Sequence, residues 1–174
     1  AVNGDVEITL SNDRATLTIA DADSNAGGDT VRLGAGNLLL GADNIIITAS
    51  ALAGDDAIET TGAVTLRSAT AETIRIGGTD DSNADDNLDL SEAELQEINA
   101  TDLIIGGGGV LTTAVSLDTS IDLSGVANLA AVLIRSNGAI DNSNAANLLD
   151  LGSDDLVLRA GGNIGATNTF RIEV

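Results

Sequence analysis

The sequence predicts an all-β chain wound as a parallel β-solenoid, with one short helical turn near residues 91–98. Three observations predict it. Short apolar–polar–apolar triplets recur from one end to the other, several phrases repeat at shifts that fit a coil length, and large side chains are nearly absent. The chain is 43% hydrophobic, yet Phe170 is its one aromatic residue. A core built of Val, Ile, Leu and Ala alone is thin, which suits a narrow repetitive stack better than a globular interior with bulky anchors.

Taken in order, the triplets are Val6-Glu7-Ile8-Thr9-Leu10, Leu17-Thr18-Ile19, Val31-Arg32-Leu33, Val64-Thr65-Leu66, Ile74-Arg75-Ile76, Leu88-Asp89-Leu90, Val115-Ser116-Leu117, Ile121-Asp122-Leu123 and Ile172-Glu173-Val174. Each reads as a brief half-buried strand, because alternate side chains point to opposite faces. Between them lie clusters such as Ala35-Gly36-Asn37, Gly54-Asp55-Asp56 and Gly106 to Gly109. These supply the positive-φ corners that a coiling chain needs.

The repeats arrange the strands. Residues 40–49 match residues 151–160 at every apolar, glycine and Asp/Asn position, a shift of 111. Ile134 to Ile140 matches Leu158 to Ile164 at a shift of 24, and Asp102 to Ile105 matches Asp155 to Leu158 at 53. The shifts suit coils of about 22 to 26 residues. Three strands per coil, each stacked on its equivalent at about 4.8 Å, give about seven or eight coils and a rod on the order of 35 to 40 Å long. A β-sandwich fits less well, since no series of Asn-Gly hairpins links neighbouring strands. Residues 1–174 form a single domain on this reading, either a segment of a longer rod or the subunit of a fibre.

One stretch departs from the strand rhythm. In Ser91-Glu92-Ala93-Glu94-Leu95-Gln96-Glu97-Ile98 a serine precedes a glutamate by three residues, and Leu95 and Ile98 share a face. That is a capped helical turn, expected to loop out against the side of the stack.

Charge and composition exclude several functions. The net charge is −20, from 27 acidic residues against seven arginines and no lysine. Nucleic acid and anionic membranes are poor partners for such a surface. Cysteine, histidine, methionine and proline are absent, which removes disulfides, thiolate chemistry and the usual zinc sites. No apolar run approaches the ~20 residues of a membrane span, and Ala1-Val2-Asn3-Gly4-Asp5-Val6 is no signal peptide. The chain reads as a mature protein or a piece of one, and export is an inference.

Leu90 to Gly106, which joins the capped turn to the following strand, and Leu156-Val157-Leu158-Arg159-Ala160-Gly161-Gly162-Asn163-Ile164-Gly165 resemble repeats of very large bacterial surface proteins of the filamentous haemagglutinin type. The resemblance extends in composition and rhythm over most of the chain. It implies a right-handed parallel β-helix exported to the cell surface, serving adhesion, cell–cell contact or an extracellular fibre. The secretion-signal domain of such proteins and their Asn-Pro-Asn motifs are absent from this sequence.

Two acidic loops are candidate metal sites. Asp21, Asp23, Asn25 and Asp29 place oxygen ligands at near-alternate positions, and Asp80, Asp81, Asp85 and Asp86 crowd four carboxylates together. Oxygen donors of this kind suit calcium, although Ala26 and Arg32 stand where an EF-hand needs glycine and glutamate. No cofactor is required, Ca2+ being the one candidate, and the bland reading of both loops is a solvated acidic turn. No catalytic residue is assigned. Asp89, Asp122 and Arg75 sit mid-strand, where a groove facing solvent would expose them. A polyanionic saccharide would nonetheless meet a −20 surface with no lysine and a single aromatic platform. Four strand centres expected to face outward are apolar: Ile46, Ile104, Leu133 and Val157. The repeat alignments put them on one face as a lateral contact stripe, unless a loop or the 91–98 turn covers them. The partners implied are other copies, joined end to end or laterally, and a carbohydrate or cell-surface ligand. The leading function is structural or adhesive. A calcium-stabilised matrix or surface-layer component and a carbohydrate-active β-helix are the alternatives.

Overall fold

A computed structural model describes residues 4–20, 30–48, 56–79, 87–107 and 112–173. Among these the strands are, in chain order, β1 (Val6–Thr9), β2 (Thr16–Ala20), β3 (Val31–Arg32), β4 (Leu38–Gly41), β5 (Asn44–Thr48), β6 (Ile58–Glu59), β7 (Ala63–Arg67), β8 (Glu72–Ile76) and β9 (Asn87–Leu90). Helix α1 (Glu92–Gln96) follows, then β10 (Ile98–Asn99), β11 (Asp102–Ile105), β12 (Thr112–Leu117), β13 (Ile121–Asp122), β14 (Ala131–Ser136), β15 (Ile140–Asn142), β16 (Leu148–Asp150), β17 (Asp155–Ala160) and β18 (Arg171–Glu173). Every registered strand pair among the described residues is parallel.

The widest sheet has six strands in the order β1-β4-β7-β11-β14-β17. The others are β15-β12-β8-β9, β2-β5, β10-β6-β3 and β13-β16-β18. The chain passes through these sheets in rotation, so a strand of the widest sheet is followed by strands of other sheets before the chain returns. Parallel pairing demands such crossovers, because strands running the same way cannot be joined by a hairpin.

Register layers the side chains. Val6, Leu38, Val64, Leu103, Val132 and Leu156 form one inward row across the six strands, and Ile8, Leu40, Leu66, Ile105, Ile134 and Leu158 form a second. The middle members are fully buried and the edge members half-buried. The core also takes Leu88, Ile74, Val115 and Ile140 from the four-stranded sheet, and Ile58, Ile98, Ile121 and Leu149 from the three-stranded ones. Each fully buried Leu or Ile contributes about 1.5–3 kcal/mol relative to exposure, and no aromatic residue is among them.

Two of the three sequence shifts coincide with this register. Ile134 lies beside Leu158, and Asp102 beside Ala131 beside Asp155. The third does not. Leu40 sits in the row that ends at Leu158, not over Leu151, so the match of segment 40–49 to segment 151–160 is out of phase. The returns are also less uniform than a regular coil would give. The shortest runs from Val132 to Leu156 and the longest from Val64 to Leu103, and the widest sheet holds six strands where seven or eight coils were expected. The longest return holds two strands of one sheet, β8 and β9, and then α1.

The capped turn stands as expected: Ser91 accepts the N–H of Glu94, whose carboxylate accepts the Ser91 N–H at 2.8 Å in a reciprocal capping box. Of the glycine corners, Gly106 has φ +87°, and a side chain there would also strike the carbonyl of Arg135. Gly36 is glycine for another reason. It lacks a positive φ, but any Cβ would collide with the backbone of Gly4, so the corner is small because the preceding pass of chain lies against it.

Candidate contact face

The outward side chains of the widest sheet form three columns. The central one runs Glu7, Leu39, Thr65, Ile104, Leu133, Val157 in direct register. Three of the four predicted stripe residues are therefore neighbours. Val157 is 42% exposed, while Ile104 and Leu133 are half-buried. Ile46 is not among them. It lies on β5 opposite Thr18 in the two-stranded sheet, and Leu39 holds the place that the out-of-phase repeat assigned to it. At the β1 end of this face Asp5, Glu7, Asn37, Leu39, Thr65 and Ile104 border an open groove of about 500 Å³.

The flanking columns are charged. Two positions before the apolar column stand Asp102, Ala131 and Asp155. Two positions after it stand Arg135 and Arg159, in register with each other, with Arg67 on β7 further along. Arg67 pairs with Glu7 at 3.2 Å.

The 91–98 turn does not cover this face. It packs on β5 and acts there as a substitute strand. Glu94 Oε1 accepts the N–H of Ile47 at 3.1 Å, and on the other side Glu92 Oε2 accepts the N–H of Asp122 at 3.0 Å while Gln96 Nε2 donates to the Asp122 carbonyl at 2.9 Å. Strand groups that would otherwise lack a partner are thus satisfied by side chains.

The predicted metal residues Asp21, Asp23, Asn25, Asp29, Asp80, Asp81, Asp85 and Asp86 lie outside the described residues. A different acidic group converges: Asp13, Asp43 and Glu72 bring carboxylate oxygens within 4.8 Å of one another, with Asp43 and Glu72 buried. Asp43 already has a backbone role. Its Oδ1 accepts the N–H groups of Ala69 (3.0 Å) and Thr70 (2.8 Å), and its Oδ2 that of Arg14 (3.0 Å). Asp141 does the same further along, accepting from Thr167 and Asn168. Each aspartate thereby clasps the corner that lies one pass of the chain ahead of it. The hydrogen bond with Thr167 holds the Asp141 carboxyl below its ordinary range, outweighing the opposing effect of burial.

Asp89, Arg75 and Asp122 do not line a common groove. Asp89 is 1% exposed, and both its carboxylate oxygens take Arg75 at 2.5 Å; Arg75 Nε also lies 3.6 Å from Asp118. The expectation that Asp89 faces solvent fails because its register partner on β8 is that arginine. Asp122 belongs to another sheet, where the Ser124 hydroxyl, and then the Ser124 N–H, hold its carboxyl low.

Sequence reasoning missed the clasping role of Asp43 and Asp141. The signal was available, since a short polar corner follows each of them at the length of one return, but it is readable only when that length is known.

No known protein family, no curated protein and no solved structure matches this chain. Among the described residues no helix is long and apolar enough to cross a membrane.

Proposed function

We propose that the chain is a stretch of right-handed parallel β-solenoid from an exported bacterial surface protein or fibre, of filamentous haemagglutinin-like character, with a structural or adhesive role and no catalysis. The observation that carries this reading is the six-stranded parallel sheet, whose inward rows are aliphatic throughout and which gains one strand at each return of the chain. A chain that spends its residues on layering gains length and stiffness, and offers a repeated outer surface for contacts. The acidic residues fit the same role. Where the structure describes them, Asp43 and Asp141 clasp corners and Asp89 neutralises an arginine, so these carboxylates serve the layering of the chain.

Negative-stain electron microscopy of the purified chain tests the reading. Fibres of constant narrow width are expected where copies join end to end, and display of the chain on a cell surface is expected to promote cell–cell or cell–matrix attachment. Isolated stubs together with no gain in attachment on display would overturn the structural and adhesive role. Cleavage of acidic polysaccharide by the purified chain would replace it with the enzymatic alternative.

A calcium-stabilised matrix or surface-layer component is the second reading, and the convergence of Asp13, Asp43 and Glu72 favours it. Binding of an ion to the folded state raises the melting midpoint. A midpoint that is the same in millimolar calcium and in chelator removes the ion from the account.

A further inference from the structure

We infer that the outward face of β11, β14 and β17 is a self-complementary interface, on which a second copy of this chain packs side by side. The inference deepens the structural role proposed above and rests on it for the layered rod, but not for adhesion or export.

In a chain of net charge −20, most arginines find an acid or a carbonyl: Arg32 pairs with Glu59, Arg67 with Glu7, Arg75 with Asp89, and Arg171 donates to the Ala146 carbonyl. Arg135 and Arg159 have no such partner among the described residues, and they stand side by side in register. Like charges directly opposite across strands destabilise a sheet. On the same face Asp102 and Asp155 are exposed carboxylates with no hydrogen-bond or ion-pair partner among the described residues. Two cations and two anions are therefore left uncompensated on either side of the apolar residues Ile104, Leu133 and Val157. The sum over this face is zero, so here two copies approach without the repulsion that the rest of the surface imposes.

The columns also fix the geometry. A twofold axis lying in the interface and running across the strands, along the central column, sets apolar residue on apolar residue and turns each acidic column onto the partner's basic one. Asp155 then faces Arg159 of the second copy. Arg135 of the second copy faces Ala131, about one strand spacing of 4.8 Å from both Asp102 and Asp155. Two sheets packed face to face lie about 10 Å apart, within reach of an extended arginine. The other in-plane axis, parallel to the strands, would set acid on acid and is excluded. Self-complementary patches of this kind define an isologous dimer with the two rods parallel. Three strands at about 4.8 Å and five residues at about 3.3 Å cover about 240 Å² per copy. That is below the range of stable specific interfaces, so association is weak for one pair and strengthens where several rods are held together.

Sedimentation velocity on two charge-reversed variants and on their mixture tests this. Arg135→Asp/Arg159→Asp makes both flanks acidic, and Asp102→Arg/Asp155→Arg makes both basic. Each alone is expected to lose self-association by roughly tenfold or more, whereas the equimolar mixture associates about as well as the parent. Val157→Asp removes association in every combination. The substituted positions are exposed or half-buried, and unchanged far-ultraviolet circular dichroism shows that each variant is folded. If a reversed variant does not fold, Val157→Asp against the parent decides alone. A parent chain that stays monomeric, or variants that associate as it does with no recovery on mixing, overturns the inference and leaves the rod standing. Outward positions of the parent that do not space at about 4.8 Å per strand would remove the rod as well.

Discussion

The stretch from β11 to β17 and the stretch from β7 to β11 build the same sheet in different ways. In the first, the returns from Leu103 to Val132 and from Val132 to Leu156 are short, every position of β11 finds its partner on β14, and every position of β14 finds one on β17. In the second, the return from Val64 to Leu103 is the longest of the sheet, and the extra length is taken up by β9 and α1. There the open edge of β5 is completed by a glutamate, and that of β13 by a glutamate and a glutamine. The layering thus tolerates an insertion when the inserted piece brings polar side chains to the strand groups it leaves exposed.

Ile134 is fully buried between the rows of β11 and β17, and Ile134→Ala is expected to cost about 2–5 kcal/mol in urea unfolding, by lost transfer energy and the cavity left behind. Leu133→Ala, at the adjacent but outward position, is expected to cost less than about 1 kcal/mol. Equal losses would mean that the alternation of faces is wrong.

The interrupted side breaks through hydrogen bonds. Glu94→Ala leaves the N–H groups of Ile47 and Ser91 without their carboxylate, and is expected to cost about 2–3 kcal/mol. Amide exchange at Ile47 accelerates while exchange at Ile134 and Leu158 holds. Ser91→Ala removes only the cap and costs about 1 kcal/mol.

The smallest effect concerns pH. The carboxyl of Asp141 is lowered in the folded state relative to an unfolded value of about 3.9. Its contribution is therefore complete above that value and is lost as pH falls through the folded one. The stability gap between the parent and Asp141→Asn is expected to be constant near neutrality and to close only below about pH 4. A gap that closes between about pH 5 and 7 would contradict the hydrogen-bonded clasp.

Much of this was legible in the sequence because it is local. Alternation in Val64-Thr65-Leu66 marks a strand, Ser91 and Glu94 mark a cap, and the Ile134 to Leu158 repeat marks a register. What was not legible depends on distance along the chain. Segment 40–49 fits segment 151–160 position by position, yet Ile46 belongs to another sheet, because similar strand phrases serve different sheets and only the intervening lengths tell them apart. Asp89 read as outward by alternation, and its burial follows from Arg75, which precedes it on the neighbouring strand. Of the candidate face, the apolar column was visible in Ile104, Leu133 and Val157. The charged columns beside it emerge only when Asp102, Asp155, Arg135 and Arg159 are set in register.

In the widest sheet, successive passes of the chain lie directly over one another. The absence of native cysteine allows spin labels to be attached in pairs at outward positions of the widest sheet, and electron–electron resonance gives the separations. From Val157 the account predicts attachment points about 19 Å away at Leu39, four strands distant, and about 24 Å away at Glu7, five strands distant, a step of about 4.8 Å per strand. Equal distances for the two pairs, or a broad distribution far beyond these values, would contradict it.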